Sequence, residues 1–147
     1  MIQLPDFYIS IFIQSLEELS NFKYQQIVWE GRGKRHMSFY TELICTFFDD
    51  LMIMDFEKND LPNMQISEKL KSMFSDFIMT LDKYSDNKEH YEWEHVHNEK
   101  FWIDPQWIKL SKMAKELLEQ WGKEVEFVNK TTKEVRLDYQ KVIQEAK

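Results

Sequence analysis

Residues 38–56, SFYTELICTFFDDLMIMDF, carry the strongest helical signal in the chain. Apolar side chains recur there at the spacing of one helix face: Phe39, Leu43, Ile44, Phe47, Leu51 and Met54. Phe48 and Met52 widen that face, and a helix that is apolar over so much of its circumference is usually central in its domain. Ser38 stands where an N-cap residue belongs. We therefore expect one long, buried helix over this stretch.

Four further segments repeat apolar residues every three or four positions, and they begin near Pro5, Ile66, Trp107 and Val135. Asn21 is expected to end the first of these helices, and Asp104 followed by Pro105 is a favourable start for the third. Gly122 is a credible C-cap, and Thr131–Glu134 fits a capping box. The 147 residues are thus predicted to form one all-α domain, residues 1–147, of about five helices.

A small β element is the alternative that stays open, at residues 24–29 or at residues 91–96. Tyr91, Trp93 and His95 alternate with two glutamates, which is typical of a strand with one side packed on a core. An edge strand is therefore the favoured interpretation of residues 91–96. The chain has only three glycines and three prolines, too few for the many turns of a sandwich or a barrel.

Composition narrows the function classes. The formal net charge is −7, so the surface repels nucleic-acid backbones and suits a basic partner. No apolar run reaches the roughly 18–20 residues that cross a bilayer, and no targeting segment is visible, so we expect a cytoplasmic protein. Cys45 is alone and is expected to be a small buried hydrophobe. Four methionines at helical spacing are expected in the core: Met52, Met54, Met73 and Met79.

Acidic and aromatic side chains make the favoured binding surface. Residues 81–104 carry seven acidic and three basic side chains, and they include the aromatic-rich run HYEWEHVHNEKFW, residues 90–102. Carboxylates would steer a basic protein toward the surface, and Trp93 would anchor it. Glu18 and Asp55 are expected to add to the same negative surface. The predicted partner-binding residues are Asp49, Asp50, Asp86, Glu89, Glu92, Trp93, Glu94 and Glu99.

A second hypothesis uses the most basic segment, residues 31–36. Arg32, Lys34 and Arg35 stand among glycines, just before the expected helix start at Ser38, and this arrangement suits an anion or a small regulatory ligand. The nucleotide-binding fingerprints GxGxxG and GxxxxGK[ST] are absent from the sequence. A solvated loop is therefore the simpler interpretation of this segment.

A third hypothesis is a metal-dependent enzyme. His95 and His97 have a spacing that many metal sites use, and His90 and two nearby glutamates offer further ligands. No recognised metal motif accompanies them. No serine stands in a nucleophile-elbow context, and the apolar neighbours of Cys45 are expected to raise its pKa. We therefore predict a binding protein rather than an enzyme, with no cofactor.

The general style of the chain resembles bacterial toxin-immunity proteins of the contact-dependent growth-inhibition type. The segments WEGRGKRHMSFYTELICTFFDDL, residues 29–51, and HYEWEHVHNEKFW carry this resemblance through their acidity and their aromatic residues. The resemblance implies a tight complex with a cognate toxin, commonly a basic nuclease, formed in the cytosol. That class shares no single motif, so no residue role is carried over from it.

Overall fold

The computed structural model describes residues 3–33 and 36–146, and every regular element within these ranges is helical. The eight α-helices are α1 Asp6–Ser20, α2 Phe22–Val28, α3 Tyr40–Cys45, α4 Ile53–Asp55, α5 Glu68–Ser85, α6 Glu89–Val96, α7 Pro105–Glu124 and α8 Glu126–Glu145. Four further helical segments lie between these α-helices. Two are π-helical, at Thr46–Asp50 and Phe56–Asp60, and two are 3-10 helical, at Leu61–Asn63 and Asn98–Ile103. The all-α prediction is confirmed, and five helices is too low a number.

An aromatic core centred on Phe12 joins the long helices. Its ring meets those of Phe47, Phe56, Phe74 and Trp121 edge to face, at centroid distances between 5.4 and 6.3 Å. This geometry places the positive ring edge on the negative ring face, and each pair contributes about 0.5–1.5 kcal/mol beyond its buried area. Helix α1 packs on α7 and α8, and α7 also packs on α5. The buried apolar residues form one cluster around these helices.

The stretch 38–56 enters the core, but the prediction of one continuous helix is wrong. The chain breaks at Met52, whose φ of 48° is left-handed. Leu51 and Ile53 on either side of the break are both buried. Residues two positions apart on a helix point in nearly opposite directions, so an unbroken helix could not bury both on one side. The left-handed turn at Met52 therefore allows both Leu51 and Ile53 to be buried in the core.

Neither proposed β element forms, since residues 24–28 belong to α2 and residues 91–96 to α6. In α6 the contacts follow helical spacing: His90 packs on the ring of Tyr84 and Trp93 on that of Phe101. Residues three apart share a helix face, whereas the alternation of aromatic and acidic residues has no counterpart in the packing. The edge-strand interpretation is therefore wrong.

The helix ends test several predictions. Asn21 ends α1 and Asp104 caps α7, as predicted. Gly122 ends nothing, because α7 continues past it to Glu124. A Cβ at Gly122 would lie 3.4 Å from Asn129 Cα, an ordinary van der Waals contact, so the packing of α7 on α8 does not require glycine there. The predicted capping box at Thr131–Glu134 is also wrong, since it lies inside α8.

Two glutamates from other helices cap helix starts in the same way. Glu94 accepts hydrogen bonds from the backbone N and Oγ1 of Thr41 at 2.6 and 2.8 Å, beside the start of α3. Glu124 accepts the corresponding pair from Ser67, the N-cap of α5. A carboxylate suits this position because free N–H groups and the helix dipole favour negative charge. The expected N-cap role of Ser38 is wrong, because Phe39 occupies that position.

Several side chains expected in the core lie at the surface. Met52, Met54 and Met79 are exposed, and Phe39 is exposed as well. Cys45 is also exposed, so its expected burial is wrong. The pKa of its thiol is raised, by desolvation first and then by Asp49. No helix within residues 3–33 and 36–146 has the length and apolarity needed to cross a membrane.

Candidate functional site

An acidic groove of about 680 Å³ opens between α1, α3 and α8. Five carboxylates line it, and they are Glu18, Glu42, Asp50, Glu134 and Asp138. No lysine or arginine among the described residues lines it. Clefts lined by one sign of charge concentrate ions of the opposite sign, so this groove attracts cations. We call it the acidic groove below.

Glu18 is the buried carboxylate of the acidic groove, with 8% of its surface exposed. Its Oε2 accepts hydrogen bonds from Trp29 Nε1 at 3.0 Å and from Ser38 Oγ at 2.8 Å. Burial raises the pKa of Glu18, the two hydrogen bonds oppose that rise, and Glu42 adds to it. Ser38 is thus tied to α1 rather than to the start of α3.

Glu17, the preceding residue, is buried to a similar extent but has a cationic partner. Its Oε1 accepts a hydrogen bond from Arg136 Nε at 2.9 Å. Glu18 forms no ion pair with any lysine, arginine or histidine that the structure describes. The two neighbours therefore differ in charge balance rather than in burial.

Tyr24, His36, Asp138 and Tyr139 form one wall of the acidic groove. The Tyr24 hydroxyl is hydrogen-bonded to His36 Nδ1, and His36 Nε2 lies 3.3 Å from Asp138 Oδ2. The Tyr24 and Tyr139 rings are stacked, with centroids 3.7 Å apart and planes at 7°. Burial raises the pKa of both phenols, so they stay neutral at physiological pH. The rings are buried against each other, so the wall is rigid and presents mainly the polar atoms of His36 and Asp138.

Gln25 of α2 lies behind Glu18 and is fully buried. Its Nε2 donates to the backbone oxygens of Glu18 and Leu19 at 2.8 and 3.0 Å. Its Oε1 accepts from Trp102 Nε1 at 2.9 Å and from Trp107 Nε1 at 3.1 Å. Because all its hydrogen-bonding positions are used, this neutral side chain fixes α2 to α1 and α7.

The predicted partner-binding residues divide into exposed and structural ones. Five are exposed: Asp49, Asp86, Glu89, Glu92 and Glu99. Asp50 is exposed as well and lines the acidic groove. Glu94 caps α3, and Trp93 is half-buried on Phe101. Asp49, Asp50 and Glu94 all raise the pKa of Cys45, so the two acidic segments are electrostatic neighbours.

The histidines of the metal hypothesis do not come together in one site, and only Arg32 of the predicted anion-binding residues is described. Arg32 is exposed and pairs with Glu30 at 3.1 Å, and Lys34 and Arg35 lie outside the described residues. His90 stacks on Tyr84, and burial lowers the pKa of His90. His95 and His97 are exposed on the outside of α6 and its end. No group of three metal-binding side chains occurs within the described part of the chain.

Sequence reasoning missed most of the acidic groove. Glu18 was expected at the surface, and Glu134, Asp138 and His36 were not predicted as site residues. His36 and Asp138 come from distant parts of the chain, so no local pattern joins them. The adjacent glutamates Glu17 and Glu18, flanked by Leu16 and Leu19, were the one available signal. Comparison with protein-family models, curated proteins and solved structures finds no match to the chain.

Proposed function

We propose that this protein binds a basic protein partner and neutralises it. The observation that supports this proposal is the acidic groove, which five carboxylates line in a chain of net charge −7. Asp49 and Asp50 continue the negative charge toward α6. A surface rich in one sign of charge favours association with a partner of the other sign.

The partner in this proposal is a cognate toxin, in keeping with the resemblance to immunity proteins. A nuclease toxin carries a positive surface for phosphate groups, and an acidic protein can occupy that surface. Exposed carboxylates such as Glu89, Glu92 and Glu99 would speed association over long distances. The half-buried Trp93 would contribute little, because most of its ring already packs on the protein itself.

Capture from a lysate of the source organism tests the proposal, with the purified protein and a charge-reversed variant as parallel baits. The variant carries Asp49→Lys, Asp50→Lys and Glu92→Lys, which leave the α3 cap at Glu94 intact. We expect the natural protein to retain a basic protein at low and at physiological salt, and the variant to lose it. The retained protein is then purified and its association rate measured against salt concentration.

The matched control carries Asp76→Lys, Glu116→Lys and Glu119→Lys, three exposed positions on α5 and α7 with the same total change in charge. The control is expected to retain the partner at physiological salt. Equal loss from both variants would show that only net charge matters. Retention of the partner by the charge-reversed variant, or no basic protein on any bait, would contradict the proposal.

A further inference from the structure

We propose that the basic partner docks around the chain break at Met52, where an amphipathic basic helix of the partner covers Met52 and Met54. We call this area the methionine surface, and its residues are Asp49, Asp50, Met52, Met54 and Asp55. The inference rests on the proposed function, since it names the surface that the basic partner contacts and the kind of segment that contacts it.

The first argument is the residue type at the left-handed turn. Met52 has φ 48° and ψ 53°, a conformation that glycine adopts readily and residues with long side chains rarely adopt. The turn itself serves the fold, because it lets Leu51 and Ile53 both be buried. The methionine side chain does not, since 54% of Met52 is exposed and glycine would make the same turn with less strain. A strained residue that adds little packing is typical of a functional position.

The second argument is the exposure of two methionines side by side. Met52 is 54% exposed and Met54 is 45% exposed, with the buried Ile53 between them. Methionine is unbranched and polarizable, so it adapts its shape to an apolar partner, and methionine-rich surfaces accept the apolar face of amphipathic helices. A helix that covers both side chains removes apolar area from water.

The third argument is the sign of the charges beside the two methionines. Asp49 and Asp50 precede them, Asp55 follows them, and all three aspartates are exposed. Residues 49–60 carry five acidic side chains and one basic one. A helix with lysine or arginine beside its apolar residues therefore meets opposite charge, and this complementarity selects a basic helix over an acidic one.

Met79 shows that exposure alone does not produce this combination. It is 65% exposed on α5, more than either methionine of the methionine surface. The charged residues about one turn away from it are Asp76 and Lys83, which have opposite signs. Met79 therefore has no preference for a basic segment, and it serves as the internal control in the test.

The methionine surface also has a firm support. The Tyr8 hydroxyl of α1 donates to Leu51 O at 2.6 Å, and the Tyr8 ring packs on Phe56 with centroids 6.2 Å apart. Leu51, Ile53 and Phe56 are all buried. Because these contacts hold the backbone on both sides of Met52, the surface is formed before a partner arrives, and little order is lost on binding.

The test uses protein labelled in its methionine methyl groups and titrated, by NMR, with a synthetic alanine–lysine helix of about 16 residues. This peptide carries two leucines four positions apart, and a control peptide has alanine at both positions. We expect saturable shifts of the Met52 and Met54 methyl signals, an unchanged Met79 signal, and binding at least about fivefold tighter for the leucine peptide. Shifts confined to Met37, which lines the acidic groove, or no saturable shift at Met52 and Met54, would overturn the proposal.

The variant Met52→Ser/Met54→Ser removes the apolar side chains and keeps every charge. We expect it to bind the leucine peptide at least about fivefold more weakly than the natural protein does. Met79→Ser is the matched control and is expected to bind as the natural protein does, because Met79 is an exposed methionine outside the methionine surface. Equal affinity of the double variant and the natural protein for the leucine peptide would contradict the proposal.

Met52→Gly separates a binding role from a structural one. Glycine adopts the left-handed conformation without the strain, so we expect a melting temperature equal to or above that of the natural protein. The leucine peptide is expected to bind at least about threefold more weakly, because one of the two methionines is missing. An unchanged affinity would overturn the proposal, and so would a lower melting temperature, since the side chain would then serve the fold.

The outcomes distinguish this proposal from the proposed function. If a basic protein is captured and Met52→Ser/Met54→Ser weakens its affinity about tenfold or more, the methionine surface is supported. If that partner binds the double variant and the natural protein equally, the methionine surface is overturned while the basic partner stands. Leucine-dependent shifts at Met52 and Met54 without any captured protein support the methionine surface and remove support from the toxin partner.

Discussion

Glu17 and Glu18 are consecutive residues of α1 and are both buried, yet their carboxylates have different kinds of partner. On one side of the helix, Glu17 Oε1 forms an ion pair with Arg136 Nε of α8 at 2.9 Å. On the other side, the donors to Glu18 among the described residues are the neutral groups of Trp29 and Ser38, and Glu18 lines the acidic groove. Consecutive helical residues diverge by about 100°, which is why neighbours in sequence enter separate environments.

This difference distinguishes a structural charge from a candidate binding charge. The fold supplies a cation to Glu17, so nothing further is needed there. Around Glu18 the fold adds more negative charge, since Glu42 raises its pKa further. Structural carboxylates elsewhere show the same contrast, because both oxygens of Glu94 are occupied by donors from Thr41. Glu18 therefore differs from Glu94 in that donors occupy one of its carboxylate oxygens rather than both.

Gln25 adds a neutral polar group to the comparison, and replacing it is expected to have the largest effect. In Gln25→Leu, Trp102 and Trp107 lose the acceptor of their indole N–H groups, and the backbone oxygens of Glu18 and Leu19 lose a donor. Because these groups are buried and cannot all reach water, we expect a loss of roughly 3–5 kcal/mol in the free energy of unfolding. Urea denaturation followed by tryptophan fluorescence measures it.

The matched control for this prediction is Gln140→Leu, at an exposed position of α8. Its cost is expected to stay within about 0.5 kcal/mol, as for most surface substitutions. A cost below about 1 kcal/mol for Gln25→Leu would contradict the central role of this side chain, since one unsatisfied buried group alone should exceed that value.

Arg136→Ala sharpens the comparison because it leaves Glu17, like Glu18, without a cationic partner among the described residues. The arginine is partly exposed, so the loss is smaller than for a fully buried pair, and we expect about 1–2 kcal/mol. The double variant Glu17→Gln/Arg136→Ala is expected to recover part of this loss, because it leaves no unpaired charge. Lys130→Ala, an exposed cation on the same helix, is the control. An equal cost for Lys130→Ala and Arg136→Ala would show that the pair contributes nothing specific.

The sequence predicts the helical class because apolar spacing of three and four continues through most of the chain. It fails where tertiary contacts replace local signals. Ser38 and Thr131 have the right residue type for caps, but Ser38 bonds Glu18 and Thr131 lies inside α8. The break at Met52 and the helical state of residues 91–96 follow from packing. The spacing of apolar residues along the sequence does not encode that packing.

The candidate site was less predictable than the fold. Asp50 lines the acidic groove and its predicted partner-binding role stays a prediction, whereas Glu94 caps α3. The contact between His36 and Asp138 joins distant parts of the chain, and no spacing rule reaches that far. A glutamate between apolar helix residues gives no sign of whether a cation will face it. That information appears only when α8 is placed on α1.

The smallest expected effect concerns the pH dependence of stability at Glu18. Burial raises the pKa of Glu18 above its ordinary value of 4.5, so the folded state holds this proton more tightly than the unfolded state does. Stability from this group is therefore present below about pH 4.5 and is lost as the pH rises through the folded pKa. Glu18→Gln removes that loss, and we expect it to be the more stable form above this range, by less than about 1 kcal/mol.

Urea denaturation of both forms at pH 4 and pH 8 measures the effect. The advantage of Glu18→Gln over the natural protein is expected to be larger at pH 8, where Glu18 is charged in the unfolded state. The pKa of Glu124 is shifted in the opposite direction. Burial raises it, but hydrogen bonds from Ser67 and Gln120 outweigh burial, so the pKa is lowered. Its contribution is lost as the pH falls below 4.5, so Glu124→Gln should cost more at pH 8 than at pH 4. An advantage of Glu18→Gln that shrinks at pH 8 would mean that the folded protein already pairs Glu18, and the distinction from Glu17 would disappear.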